Sequence, residues 1–290
     1  MNAQNKRQQL KARLAQPEIV TAPGIFDLIS AKMADSMEFE CLYMTGFGTV
    51  ASYLGVPDAG LATYTDMVDR VTAFCGATTT PLICDGDTGY GGLLNVAHTV
   101  RGYERAGAAG IQLEDQEFPK KCGHTPGRKV IALDDMVKKI KVAVETREDP
   151  NFQIVARTDA RTSLGLDEAL RRGEAFAKAG ADVLFIESPE TVEELETIAR
   201  TFDTPLLVNI VEGGRTPQLT PAELQKLGFS IAIYPASGFL AVAKALQDVY
   251  GQIKAQRGTL QAENTLYPFS EMCKLMGFPA VWQFDREHAE

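Results

Sequence analysis

The 290-residue chain has little cysteine, little histidine and no excess of positive charge, and each shortage removes a class of function. Five cysteines, at positions 41, 75, 84, 122 and 273, are odd in number and contain no Cys-x-x-Cys pair, so they form neither a disulfide framework nor a zinc knuckle. Three histidines, at 98, 124 and 288, lie too far apart in the chain to suggest a nitrogen-rich zinc site. Lysine and arginine number 29 against 38 aspartate and glutamate, a net charge of −9, which argues against nucleic acid or an anionic membrane as partner. No stretch approaches the roughly 18 consecutive apolar residues of a membrane span, and the opening MNAQNKRQQLKARLAQ lacks the apolar centre of a signal peptide. The expected compartment is the cytoplasm. What remains is an ordinary globular composition, 45% hydrophobic and 23% charged, ample for a core.

Short β-branched runs alternate with longer amphipathic stretches. The runs are EIVTA at 18–22, CLYMT at 41–45, PLICD at 81–85, GIQLE at 110–114, QIVAR ending at Arg157, DVLFIE ending at Glu187, PLLVN ending at Asn209 and IAIYP ending at Pro235. Helical stretches repeatedly exit through AGA or LG into the next buried run, the punctuation of a parallel sheet. Eight such units predict an α/β fold, a (β/α)8 TIM barrel, with a doubly wound sheet as the alternative. The barrel domain is expected over residues 1–255. Residues 256–290 read as a C-terminal helical extension whose apolar positions 266, 269, 272, 275 and 276 need a covering surface.

In such barrels the chemistry sits where strands end, and here the strand ends are polar. Strand two runs into Tyr43, Met44, Thr45, Gly46, Phe47 and Gly48, where small residues let backbone amides approach a ligand. Strand three ends in DGDTGYGG at 85–92, strand four in Glu114-Asp115, strand five in Arg157-Thr158-Asp159, strand six in Glu187 and strand seven in Asn209. An Asp-Gly-Asp sequence is also a good turn by itself. Asp85, Asp87 and Glu114 together, however, make a carboxylate trio that is costly to bury without a divalent ion, and oxygen ligands suit Mg²⁺ or Mn²⁺. After strand four, residues 118–129 (FPKKCGHTPGRK) hold four cations, Cys122 and His124 between glycines and prolines, a composition suited to a mobile lid over an anionic substrate; the plain alternative is a solvated basic loop. Cys41, Cys75, Cys84 and Cys273 read as packing residues. Tyr234 and Ser237, at the last strand end, suit capping and packing as well as binding.

Assembled, these residues resemble the isocitrate lyase and phosphoenolpyruvate mutase superfamily over about residues 10–255. The resemblance rests on YMTGFG at 43–48, DGDTGYGG at 85–92, LEDQEFPKKCGH at 113–124, ARTDA at 156–160, FIE at 185–187 and NIVEGGRTP at 209–217. It implies a (β/α)8 barrel carrying Mg²⁺ and a homotetramer, a dimer of dimers that exchanges C-terminal helices. The KKCGH lid is similar to that of the carbon–carbon lyase branch, whose lid cysteine acts in catalysis, and this disfavours a phosphonate mutase. After the strand-seven Asn, 2-methylisocitrate lyases carry Thr-Glu-Phe-Gly, whereas this chain has Val211-Glu212-Gly213-Gly214-Arg215, closer to lyases of 2-alkyl- and 2,3-dialkylmalates and to oxaloacetate hydrolases.

The resemblance therefore implies a Mg-dependent retro-Claisen cleavage of a small 2-hydroxy dicarboxylate to pyruvate and a short carboxylate. The alternatives are 2-methylisocitrate, giving pyruvate and succinate, and oxaloacetate hydrolysis or decarboxylation. Expected metal ligands are Asp85, Asp87 and Glu114, with Asp58 through water. Tyr43 or a metal-linked base would take the C2 hydroxyl proton, Arg157 and His124 would meet the developing charge, Cys122 would protonate C3, and Glu187 would orient Arg157. Thr45, Gly46, Phe47, Lys121, Gly123, Asn209 and Ser237 complete the expected substrate contacts. Arg215 could recruit a third carboxylate. A Schiff-base aldolase would need a lysine at a strand end, where there is none, and a non-catalytic barrel would have no use for a carboxylate trio under a cysteine lid.

Overall fold

The computed structural model describes residues 2–123, 125, 127–259 and 266–289. Eight parallel strands, β1 Val20–Ile25, β2 Leu42–Met44, β3 Leu82–Asp85, β4 Gly110–Glu114, β5 Gln153–Thr158, β6 Val183–Ile186, β7 Leu206–Asn209 and β8 Ile231–Tyr234, pair in chain order. Closure of β8 on β1, with Val20 opposite Ile231, makes the sheet a barrel and removes the doubly wound alternative. The predicted runs all become strands because each is short, rich in β-branched or, in Leu42–Met44, large apolar and aromatic residues, and buried on both faces of a parallel sheet.

Strand pleating divides the residues into two cores. Leu42, Met44, Leu82, Ile111, Ile154, Leu184 and Leu206 face outward and pack under the surrounding helices. Val20, Ala22, Tyr43, Ile83, Val155, Val183, Phe185, Leu207, Ile231 and Ile233 face inward and fill the bore. Leu10 and Leu14, from the first helix α1 Ala3–Leu14, join the inner core and close the N-terminal end of the bore. Lys6 fixes that helix by donating to the carbonyls of Cys75 (3.1 Å) and Thr78 (2.6 Å).

Two residues beyond an inward apolar residue the same strand face carries a polar one: Ile83 leads to Asp85, Val155 to Arg157, Phe185 to Glu187 and Leu207 to Asn209. The strand period of two thus lifts these side chains into a single ring at the C-terminal rim.

The described helices after α1 are α2 Leu28–Asp35, α3 Gly46–Leu54, α4 Tyr64–Ala77, α5 Leu93–Ala106, α6 Leu133–Thr146, α7 Ala160–Leu164, α8 Leu166–Lys178, α9 Val192–Thr201, α10 Pro221–Leu227, α11 Ser237–Gln256, α12 Phe269–Leu275 and α13 Phe278–His288. None is long and apolar enough to cross a membrane. The last three differ from the rest in having no buried residue. Leu240, Leu246 and Tyr250 of α11, with Leu266, Phe269, Phe278 and Trp282 of the extension beyond it, are exposed, so α11 and the extension leave these apolar side chains uncovered within one chain.

Candidate active site

The rim encloses a cavity of about 270 Å³. Tyr43, Thr45, Phe47, Asp58, Asp85, Glu114, Lys121, Cys122, Gly123, Arg157, Glu187 and Asn209 all line it, so most of the residues selected from sequence meet in one place. Asp87 and Gly46 stand immediately behind the lining. Ser237 begins α11 and is not itself in the lining, but it donates to Glu212, which lines the cavity together with Pro235 and Ala236. His124 lies outside the described residues. Arg215 does not reach inward: it is tied to Glu190 at 3.1 Å, away from the cavity.

Asp85 is held from three sides. Its Oδ1 accepts from the Asp87 amide (3.1 Å) and Gln112 Nε2 (3.2 Å), and its Oδ2 accepts from the Gly46 amide (3.2 Å). A Cβ at residue 46 would stand 2.5 Å from Asp85 Oδ2, so only glycine admits this approach. The expectation that residues 45–47 offer their amides to a substrate carboxylate is therefore narrowed. Thr45 N–H goes to Ile25 O at 3.1 Å and Gly46 N–H to Asp85, while the Phe47 amide lies in the first turn of α3, where helical acceptors are lacking. Tyr43 donates its hydroxyl to Gln112 Oε1 at 2.7 Å, and burial, reinforced by Asp85, raises its pKa well above the ordinary range.

Lys120 was legible only as one cation of a basic loop. In the structure it is buried, with Nζ 2.5 Å from both Asp58 and Asp87. Burial pulls its ammonium down, but those two carboxylates outweigh it and hold it charged, well above the usual lysine range. Asp87, in a left-handed backbone conformation (φ 48°), is pushed up to about 7 by burial despite Lys120. Glu114 is also raised, burial outweighing Arg157, and its Oε1 is buried with no hydrogen-bond donor among the described residues.

Among the described residues no three His, Cys, Asp or Glu side chains stand close enough to form a ready-made metal cage. The donor set nevertheless suits Mg²⁺. It is all oxygen, its four carboxylates outnumber Lys120 and Arg157 beside them, and it contains an orphaned Glu114 oxygen. Mg²⁺ ordinarily keeps several waters and takes only one or two carboxylates directly.

Arg157 lies over the Phe185 ring at 5.0 Å and makes two 2.9 Å bonds to Asp159. It stands 3.4 Å from both Glu114 and Glu187. Burial lowers its pKa, and Asp159 and Glu187 more than restore it, so the guanidinium stays charged. Glu187 is fully buried, accepting from Ser188 Oγ (2.9 Å) and Asn209 Nδ2 (3.1 Å).

The lid is seated on this layer. Gln116 clamps the Lys121 backbone from both sides, at 2.9 and 3.0 Å. Ser188 donates to Gly123 O at 3.3 Å, and any Cβ at residue 123 would collide with Arg157 Nη2 and crowd Glu187. This seating presents Cys122 to the cavity.

The whole arrangement has counterparts. The phosphoenolpyruvate phosphomutase family model matches residues 10–254. The chain belongs to the phosphoenolpyruvate mutase and isocitrate lyase superfamily. It is an enzyme of the carbon–carbon lyase kind. Over 285 residues the lyase is 47% identical to the 2,3-dimethylmalate lyase of Eubacterium barkeri, covering 98% of this chain and 99% of that one. Over 278 residues it is 40% identical to the 2-methylisocitrate lyase of Aeropyrum pernix, covering 96% and 89%. A phosphonopyruvate hydrolase solved with oxalate and Mg²⁺ superposes on the lyase with a TM-score of 0.89 at 30% identity, both chains covered in full.

Gln112 and Lys120 are the functional-site residues that sequence reasoning passed over. Gln112 carried a signal, being a polar side chain inside a buried strand, in phase with Glu114. Lys120 carried none, because Asp58 lies 62 residues away from it.

Proposed function

We propose that the enzyme is a Mg²⁺-dependent lyase that cleaves a 2-alkyl- or 2,3-dialkylmalate, of which 2,3-dimethylmalate is the type, into pyruvate and a short monocarboxylate. The observation that carries this reading is the lining of the cavity, which joins the charged rim to a group of apolar side chains. Phe47, Val211, Ile233, Phe239 and Leu240 line the same cavity as Asp85 and Arg157, and Arg215 is turned out to Glu190. Those apolar side chains accommodate alkyl groups on C2 and C3, and Arg215, outside the lining, is not presented to the third carboxylate of 2-methylisocitrate. Where 2-methylisocitrate lyases carry Thr-Glu-Phe-Gly, the first and third of these positions are Val211 and Gly213 here, a hydroxyl and a ring removed.

Asp85, with Asp87, Glu114 and Asp58 around it, would hold Mg²⁺, which supplies Lewis-acid stabilisation of negative charge on the pyruvate half. Tyr43 is buried beside carboxylates and stays a neutral phenol whose one proton goes to Gln112 Oε1, so the C2 hydroxyl proton is assigned to a base of the metal-binding carboxylate group. The C2 hydroxyl proton passes to a carboxylate of that group as the C2–C3 bond breaks, which gives pyruvate and leaves the bonding electron pair as an enediolate-like carboxylate on the other half. Arg157, oriented by Glu187 and Asp159, meets that charge beside Asn209. Cys122 then transfers its thiol proton to C3, which needs the lid in its seated position. The exposed side chains of α11–α13 support a homotetramer that exchanges C-terminal helices, which light scattering would read as four times the 31.5 kDa chain mass.

The experiment is release of pyruvate or oxalate with Mg²⁺ from 2,3-dimethylmalate, 2-methylisocitrate and oxaloacetate. We expect 2,3-dimethylmalate to be turned over best. A kcat/KM for 2-methylisocitrate tenfold above it, about 1.4 kcal/mol of transition-state preference, would overturn the substrate assignment and leave the lyase intact.

A further inference from the structure

Arg128 ends the lid, and its side chain is 1% exposed. Nη1 donates to Asp159 Oδ1 at 2.6 Å, and Nη2 donates to Thr162 Oγ1 in α7 at 2.7 Å. Asp159 is the carboxylate that grips Arg157, and the two arginines share one oxygen: Arg157 Nη2 stands 2.9 Å from the same Oδ1. We propose that Arg128 is a positioning residue that transmits lid closure to Arg157 through Asp159. The proposal rests on the reading of Arg157 given above.

The charges explain how. Asp115, the neighbouring buried carboxylate, is already satisfied by Arg172 Nη1 (2.9 Å), Thr158 Oγ1 (2.6 Å) and the Asp159 amide (2.9 Å). Asp159 is fully buried and, among the described residues, has the two guanidinium groups of Arg128 and Arg157 to neutralise it. With Arg128 seated, the Arg157 charge is shared outward to Glu114, Glu187 and whatever occupies the cavity. Asp159 at 2.9 Å is the nearest carboxylate to Arg157, closer than Glu114 or Glu187 at 3.4 Å, and removing Arg128 would leave Asp159 with Arg157 as its remaining guanidinium, so that Asp159 draws that charge back out of the cavity. The planar fork adds geometry to charge. Arg157 keeps its orientation because Asp159 keeps its own, and the Arg128 bridge to Thr162 holds Asp159 from the far side. Lid closure therefore delivers two things at once, the Cys122 thiol and a counter-cation that frees Arg157.

The test is a double-mutant cycle in the full-length, Mg²⁺-loaded enzyme, with 2,3-dimethylmalate as substrate and thermal unfolding as the check on folding. Arg128→Met should lower kcat about 100-fold with KM nearly unchanged, and Arg128→Lys, which keeps the charge without the fork, should recover about tenfold of that. The deciding readout is the double variant. If Arg128 acts through Arg157, adding Arg128→Met to Arg157→Lys should cost little more than Arg157→Lys alone. Losses that multiply, or an Arg128→Met kcat close to wild type, would overturn the proposal. If Arg128→Met does not fold, the same cycle is read with Arg128→Lys. An Arg157→Lys enzyme of wild-type kcat would instead bring down the role of Arg157 itself, whereas multiplying losses with Arg157→Lys impaired bring down only the coupling.

Discussion

The lower bore and the upper rim of the barrel are built from the same strands, two residues apart, and are opposite in kind. Below, Val155, Phe185, Leu207 and Ile231 pack against Leu10 in a dry layer without charge. Above, Arg157, Glu187 and Asn209 stand on those same strands with Asp85 and Glu114. Burying carboxylates beside that layer is unfavourable, and the raised pKa values of Glu114, Asp87 and Asp115 record the cost. The rim is tolerable because the bore carries the stability of the fold.

Perturbing the two layers separately breaks or sharpens this division. The largest effect should come from chelation. EDTA should abolish turnover and Mg²⁺ or Mn²⁺ should restore it, as read by pyruvate release, and full activity after exhaustive chelation would remove the metal from the rim. Next, Cys122→Ser should lower kcat by about 10²–10³-fold with little change in Tm, since a half-exposed lid thiol contributes little packing and a hydroxyl is a poor acid. Near-wild-type kcat would end its role as proton donor. Leu10→Ala should do the reverse, costing about 3 kcal/mol in urea unfolding with kcat preserved, because the cavity it opens is at the far end of the bore.

A smaller effect separates the charged and the apolar side chains of the lining. Val211→Thr should shift the ratio of kcat/KM values toward 2-methylisocitrate by up to about tenfold, roughly 1.4 kcal/mol; no shift would take residue 211 out of specificity. The smallest concerns pH. Burial raises the pKa of Asp115 to about 6 and of Asp87 to about 7 in the folded chain. Between pH 5 and 7.5 the native state therefore holds protons that the unfolded chain has released, and stability should fall as pH rises through that window, by on the order of 1 kcal/mol or more without metal. Carboxylates with lowered values, such as Asp35 and Glu168, change stability below this range. Denaturation in EDTA at the two pH values measures the fall, and Mg²⁺ should reduce it.

The strands and most of the rim were legible because a period of two links each polar strand end to the barrel residue preceding it. The bore plug was not. Leu10 and Leu14 sit in a helix that reads as polar, and their burial depends on a barrel closing above them. The lid cations were legible as charges but not as partners. Lys120 meets Asp58 and Asp87, and Arg128 meets Asp159, only because closure brings separate βα loops to one rim. The apolar part of the lining was invisible for the same reason, since Phe47, Val211 and Phe239 come from three different units.

The seat of Gly123 on Arg157 has a genetic consequence. Every other amino acid brings a Cβ, and at this residue a Cβ runs into the guanidinium. Each missense change open to that codon therefore lands on the same collision, whatever the chemistry of the new side chain. Codon 123 has only synonymous neighbours that leave the lid seated, and a library that randomises the lid should return glycine there while neighbouring codons drift.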